Sequence, residues 1–125
     1  MQTAAEKQEI IAGLNKTMVA MGLNPEIENE WNYGLSIIRL ARAWSSTENT
    51  QIKNTLIAIA ETAPIVEADL LATFKDLQVE TMYQLKERGL TARVVIGYQH
   101  HYWACTPEGF DVYRAIKIEE RKGSI

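Results

Sequence analysis

A helix closed by glycine, followed directly by a hairpin and then by a helix opened by proline, constrains this chain more than any other feature. It runs from Asp76 to Arg114. Val79, Met82 and Leu85 recur at the spacing of one buried helical stripe, which predicts a helix over 77–88. Gly89 stops it, because the position after a helix end favours positive φ, and Leu90 follows. The β-branched residues Val94, Val95 and Ile96 predict a strand over 92–96. A return strand is predicted over 101–105, carrying Tyr102, Trp103 and Cys105. Gly97, Tyr98, Gln99 and His100 make the connection between them. Thr106 and Pro107 then start a last helix, by the pairing of a capping side chain with a residue pre-set for the first helical position. Val112, Ile116 and Tyr113 dock it, and Arg121–Ser124 reads as a fraying tail.

The residues ahead of this unit read as helices. Ile10, Leu14, Met18 and Met21 form one stripe of a helix over 4–21, stopped by Gly22. Asn24, Pro25 and Glu26 restart the chain as a second helix reaching Trp44, with Ile27, Trp31, Leu35, Ile38 and Leu40 or Ala41 on its buried side. Ser45 to Glu48 matches an S-x-x-E capping box for a third helix carrying Ile52, Leu56, Ile59 and Ala63. Pro64 ends that helix, since the residue before proline avoids helical geometry. A short fourth helix is predicted over 65–74, burying Ile65, Leu70, Leu71 and Phe74.

A chain of 125 residues with 46% apolar content fits one domain, residues 1–125, with a real core. No apolar run reaches the ~18 residues of a membrane span. The first ten residues carry Glu6, Lys7 and Glu9 and lack the pattern of a secretory signal, so a cytoplasmic protein is expected. The single cysteine, Cys105, excludes an internal disulfide. Net charge is −3, yet residues 1–74 hold five basic and nine acidic side chains against eight and seven in residues 75–125. Basic character therefore lies in the second half.

Two landmarks carry a family resemblance. Tyr83 to Leu90 ends in a Gly-Leu step, and after a hairpin Tyr102 to Gly109 ends in Thr106-Pro107-Glu108-Gly109. This resembles winged-helix transcription regulators of the MarR-like and PadR-like kind, over residues 50–118. The resemblance implies a mainly α fold: a winged helix-turn-helix over 47–118, made of three helices and a β-hairpin wing, with two additional N-terminal helices over 1–46. Residues 50–74 would supply the two helices before the recognition helix, with the turn near Lys75 and Asp76. It also implies a sequence-specific DNA-binding regulator acting as a dimer. The N-terminal helices, whose Met18, Met21, Ile37, Ile38 and Trp44 can cover the core and still leave an apolar stripe, are the main expected dimer seat, with the C-terminal helix as a further contributor.

The implied DNA-contacting set is Lys75, Gln78, Thr81, Gln84, Lys86, Arg88 and Arg93, with Gln99 and His100 at the wing tip. Thr81 and Gln84 would meet base edges, while Lys75, Arg88 and Arg93 would hold phosphates. A helical wheel places Glu80, Gln84 and Glu87 opposite Val79, Met82 and Leu85, with Thr81 and Arg88 at the border. Two glutamates on that surface and a wing tip without Arg or Lys favour an alternative: an adaptor, or a small phage- or plasmid-encoded inhibitor, that binds a protein partner. His100 and His101, adjacent in a strand, point to opposite faces and do not converge on a metal. Cys105 lacks a recognisable base, and no phosphate-binding, dinucleotide-binding or metalloprotease motif occurs. No enzymatic activity and no cofactor are expected.

Overall fold

The computed structural model describes residues 3–44, 50–97 and 100–123. In chain order these form α1 (Ala4–Ala20), α2 (Glu28–Trp44), α3 (Thr50–Thr62), β1 (Ile65–Val66), α4 (Glu67–Thr73), α5 (Val79–Glu87), β2 (Thr91–Ile96), β3 (His100–Cys105) and α6 (Pro107–Gly123). The molecule is mainly helical, with one small antiparallel sheet in the order β1-β3-β2. The hairpin register pairs Thr91 with Cys105, Arg93 with Trp103 and Ile96 with His100. On the other side of β3, Ile65 pairs with Trp103 and Val66 with Tyr102.

Both Gly-Leu steps end their helices in the same way. At α1, Leu23 N–H donates to the Met18 carbonyl and Gly22 N–H to Val19. At α5, Leu90 N–H donates to Leu85 and Gly89 N–H to Lys86. These are Schellman closures, which use up carbonyls the helix end leaves open. The reversal turns Leu90 back onto the core, where it is buried.

Four sequence expectations shift. Asn24 does cap, accepting the Glu26 N–H at 3.0 Å, but a turn intervenes and α2 begins only at Glu28. Ile27 consequently lies on the surface, not in the core. Ile65 and Val66 form a strand instead of opening the fourth helix; two β-branched residues after Pro64 pair with β3, and α4 starts at Glu67. The buried stripe of α5 is Thr81, Met82 and Leu85, while Val79 is 40% exposed. The wheel is rotated, with Val79 as the first helical residue outside it and Thr81 inside. At the far end, α6 continues to Gly123, past the point where the tail is expected. The capping box at 45–48 lies outside the described residues.

Two apolar clusters hold the body together. The larger joins Met18, Ile38, Trp44, Leu56, Leu85 and Ile116, and so draws on α1, α2, α3, α5 and α6. The smaller packs Ala58, Ile59, Leu70 and Met82 around the fully buried Trp103 of β3. α2 lies along α6, tied by the Tyr33 hydroxyl donating to Asp111 Oδ2 at 2.6 Å and by Arg42 against Glu119 at 3.3 Å. The inner side of α2 is thus spent within the chain.

The start of α6 sits directly on the end of α5. Thr106 N–H donates to the Leu90 carbonyl at 3.1 Å, and the Thr106 hydroxyl donates to the Gly89 carbonyl at 2.6 Å. The same hydroxyl oxygen accepts the Gly109 N–H at 3.0 Å, as an N-cap does. A Cβ on Gly109 would overlap the Leu90 carbonyl oxygen. Gly109→Ala should therefore cost about 3 kcal/mol through forced displacement of packed backbone, against about 1 kcal/mol for loss of the cap in Thr106→Ala. Urea unfolding measures both; an unchanged midpoint for Gly109→Ala would show that the two helices are not in contact.

Candidate nucleic-acid interface

The exposed side of α5 and the free end of the hairpin form the surface to which the sequence assigns contacts. The outward residues of α5 are Val79, Glu80, Tyr83, Gln84, Lys86, Glu87 and Arg88. Gln78 precedes them, exposed, and its side chain makes no capping bond. Lys75 is exposed in the connection before α5. It borders an open cleft of about 420 Å³ with Asn54, Glu61 and Phe74.

Three of the expected contact residues have other engagements. Thr81 is 6% exposed and cannot reach a base edge. Arg93 is half-buried, its Nε 3.6 Å from Glu67 Oε1, the oxygen that also accepts the Trp103 indole N–H at 3.1 Å. This contact is longer than a hydrogen bond, and the Arg93 Nε has no hydrogen-bond acceptor among the described residues. Its guanidinium lies against Glu67 at the start of α4, on the side of the sheet that carries the buried Trp103. Arg88 remains exposed but lies 5.7 Å from the Trp44 ring, a cation–π approach that points it toward α2. It lines a shallow cleft with Tyr33, Ile37, Leu40 and Glu108.

Gln84 and Lys86 stay free on the surface, Lys86 passing 5.8 Å from the Tyr83 ring. Tyr83 in turn stands edge-on to Trp103, with ring centroids 5.4 Å apart. The cations left near the outer side of α5 are Lys75, Lys86 and Arg88, at its margins, while Glu80 and Glu87 occupy the middle. On the hairpin, His100 is exposed beside Tyr102, ring centroids 6.4 Å apart; Gln99 lies outside the described residues. Among the described residues no group of three or more His, Cys, Asp or Glu side chains could hold a metal ion, and no helix is long and apolar enough to cross a membrane.

Sequence reasoning passed over two features of this surface. Val94, Val95 and Ile96 are 46%, 53% and 58% exposed, so β2 carries exposed apolar side chains on both of its faces, opposite His100, His101 and Tyr102 of β3. The signal was an unbroken apolar run, where a half-buried strand alternates. Glu67, which organises Trp103 and Arg93, carries no signal in the local pattern because its partners lie on β2 and β3.

Cys105 and Tyr33 sit beside the core and lean toward their neutral forms. Burial pushes the Cys105 thiol up to about 12. Burial, then the hydrogen bond to Asp111, raises the Tyr33 hydroxyl as well. A raised acidic group favours the folded state while protonated. Its contribution is complete below the ordinary thiol range and is lost as pH climbs from there toward about 12. Urea midpoints should accordingly fall between about pH 8 and pH 10.5, and Cys105→Ala should lessen that fall. Native Cys105 should also alkylate far more slowly than the unfolded chain at neutral pH; labelling at the rate of a free thiol would contradict its placement.

Comparison with family models, with curated proteins and with solved structures finds no match in any of the three.

Proposed function

We propose that this chain is a winged-helix DNA-binding regulator that acts as a dimer, with α5 as its reading helix and the β2–β3 hairpin as its wing. The observation that carries this reading is the order α3-β1-α4-α5-β2-β3, with the two-residue β1 paired to the return strand of the hairpin. In that order α5 and the hairpin flank one another, so a groove and its neighbouring backbone can be met together. Gln84 would face base edges, and Lys75, Lys86 and Arg88 would meet phosphates on either side. Arg93 is assigned to the fold, through Glu67.

Dimer formation is supported by α1. Residues 4–12 are all exposed, although the apolar stripe that buries Leu14 and Met18 continues through them as Ile10 and Ile11. A helix segment exposed along its whole length is marginal in water, so a second copy is the simplest cover for Ile10 and Ile11. Light scattering should give twice the 14.1 kDa chain mass, and Ile10→Glu with Ile11→Glu should shift it toward one. A wild-type monomer at micromolar concentration would contradict this seat.

A second reading is favoured by one specific observation: the centre line of the outward α5 surface is Glu80, Tyr83 and Glu87, beside the exposed apolar residues Val94, Val95 and Ile96 of β2. That chemistry suits a basic, partly apolar protein surface better than phosphate, and supports the adaptor or inhibitor role. Unbiased duplex selection followed by salt titration separates the two. DNA reading should enrich an inverted repeat whose affinity falls steeply with salt. Glu80→Gln with Glu87→Gln should then tighten binding to all sequences by about tenfold at low salt, while Gln84→Ala relaxes preference at one position. Equal recovery of every sequence would leave the adaptor reading standing in place of the regulator.

A further inference from the structure

The strand β2 ends the sheet, since the order is β1-β3-β2 and no strand among the described residues lies beyond it. An edge strand offers its unpaired N–H and C=O groups to any other strand, and soluble proteins blunt such edges with Lys, Pro, short length or a covering element. β2 has six residues and none of these along Val94, Val95 and Ile96, which are all exposed. Its one charge, Arg93, would be the natural guard, but it is turned inward to Glu67.

From this edge we infer a second self-association site: β2 pairs antiparallel with β2 of another copy, joining two three-stranded sheets into one. The strand is self-complementary for this pairing. With a twofold axis through Val95, Val95 faces its own copy, Val94 faces Ile96, and Arg93 falls opposite Gly97, which has no side chain. Every exposed apolar position then meets an apolar one, and no like charges are opposed. A strand from an unrelated protein would meet the same backbone, but nothing in its chemistry is specified by this surface, whereas the copy matches it position by position. The site is separate from α1 and does not depend on DNA binding.

Sedimentation of the full chain over a range of concentrations tests it, with Ile10→Glu/Ile11→Glu used to remove the helical seat. That variant, monomeric at micromolar concentration, should associate again as concentration rises well above that range, and adding Val95→Lys should keep it monomeric throughout. Val95 is largely exposed, so folding, read by circular dichroism, should be kept. Register is tested by Val95→Cys in a Cys105→Ser background with diamide as oxidant. It should cross-link to its own copy at least about tenfold faster than Glu26→Cys, an exposed site off the sheet. Masses unaffected by Val95→Lys, or equal cross-linking of the two cysteines, would overturn the pairing. So would capture of this edge by a strand from a different protein while the chain itself stays unassociated.

Discussion

The Leu90 carbonyl is the point on which the arrangement turns. It accepts the Thr106 N–H at 3.1 Å, and the absence of a side chain at Gly109 lets α6 start against it. Between Leu90 and Thr106 lies the whole hairpin, so the contact clamps the hairpin at its base. Leu90 and Leu85, the two ends of the α5 closure, both enter the larger core, where they meet residues of α6 and α2. The clamp, the helix end and the core share one short segment. Because α2 is in turn tied to α6 through Tyr33 and Asp111, the orientation of α5 and the hairpin is set by the rest of the chain and not by the hairpin alone.

Charge on the outer surface divides in an informative way. Arg93 is withdrawn to Glu67 and Arg88 leans to Trp44, while Glu80 and Glu87 are exposed along the centre line of the outward face of α5. At physiological salt the screening length is ~8 Å, so the marginal cations and central carboxylates of one helix largely offset each other at a distance. Long-range attraction to a polyanion is therefore weak for one copy. A DNA complex would have to rely on close fit in the groove and on two copies binding together, and a protein complex on the apolar hairpin and Tyr83. In both proposals the partner would meet the same two elements.

Much of this architecture was legible in the sequence. Gly89-Leu90 and Thr106 to Gly109 stood out as separate landmarks, and in the structure they are the two halves of one joint. Glycine stops, Thr-Pro starts and β-branched runs are local signals, and they located five helices and the hairpin closely. What was not legible depends on partners distant in sequence. Ile65 and Val66 become a strand because β3, some forty residues on, offers them an edge. Thr81 rather than Val79 is buried, on a helix to which β2 is joined by the Thr91 hydroxyl donating to the Met82 carbonyl at 3.4 Å. Arg93 reads as a surface cation until Glu67 and Trp103 are brought beside it. Site residues chosen by charge alone were therefore the least secure, since side-chain engagement is a tertiary property.

Hydrogen exchange read residue by residue, with and without a duplex from the selection, is the most direct measure of whether α5 and the hairpin act as one docking surface. Docking through them predicts slowed exchange along 79–96 and at the start of β3, with α2 and α6 unaltered. Protection confined to the α1–α2 side, with α5 and β2 exchanging as in the free protein, would contradict it.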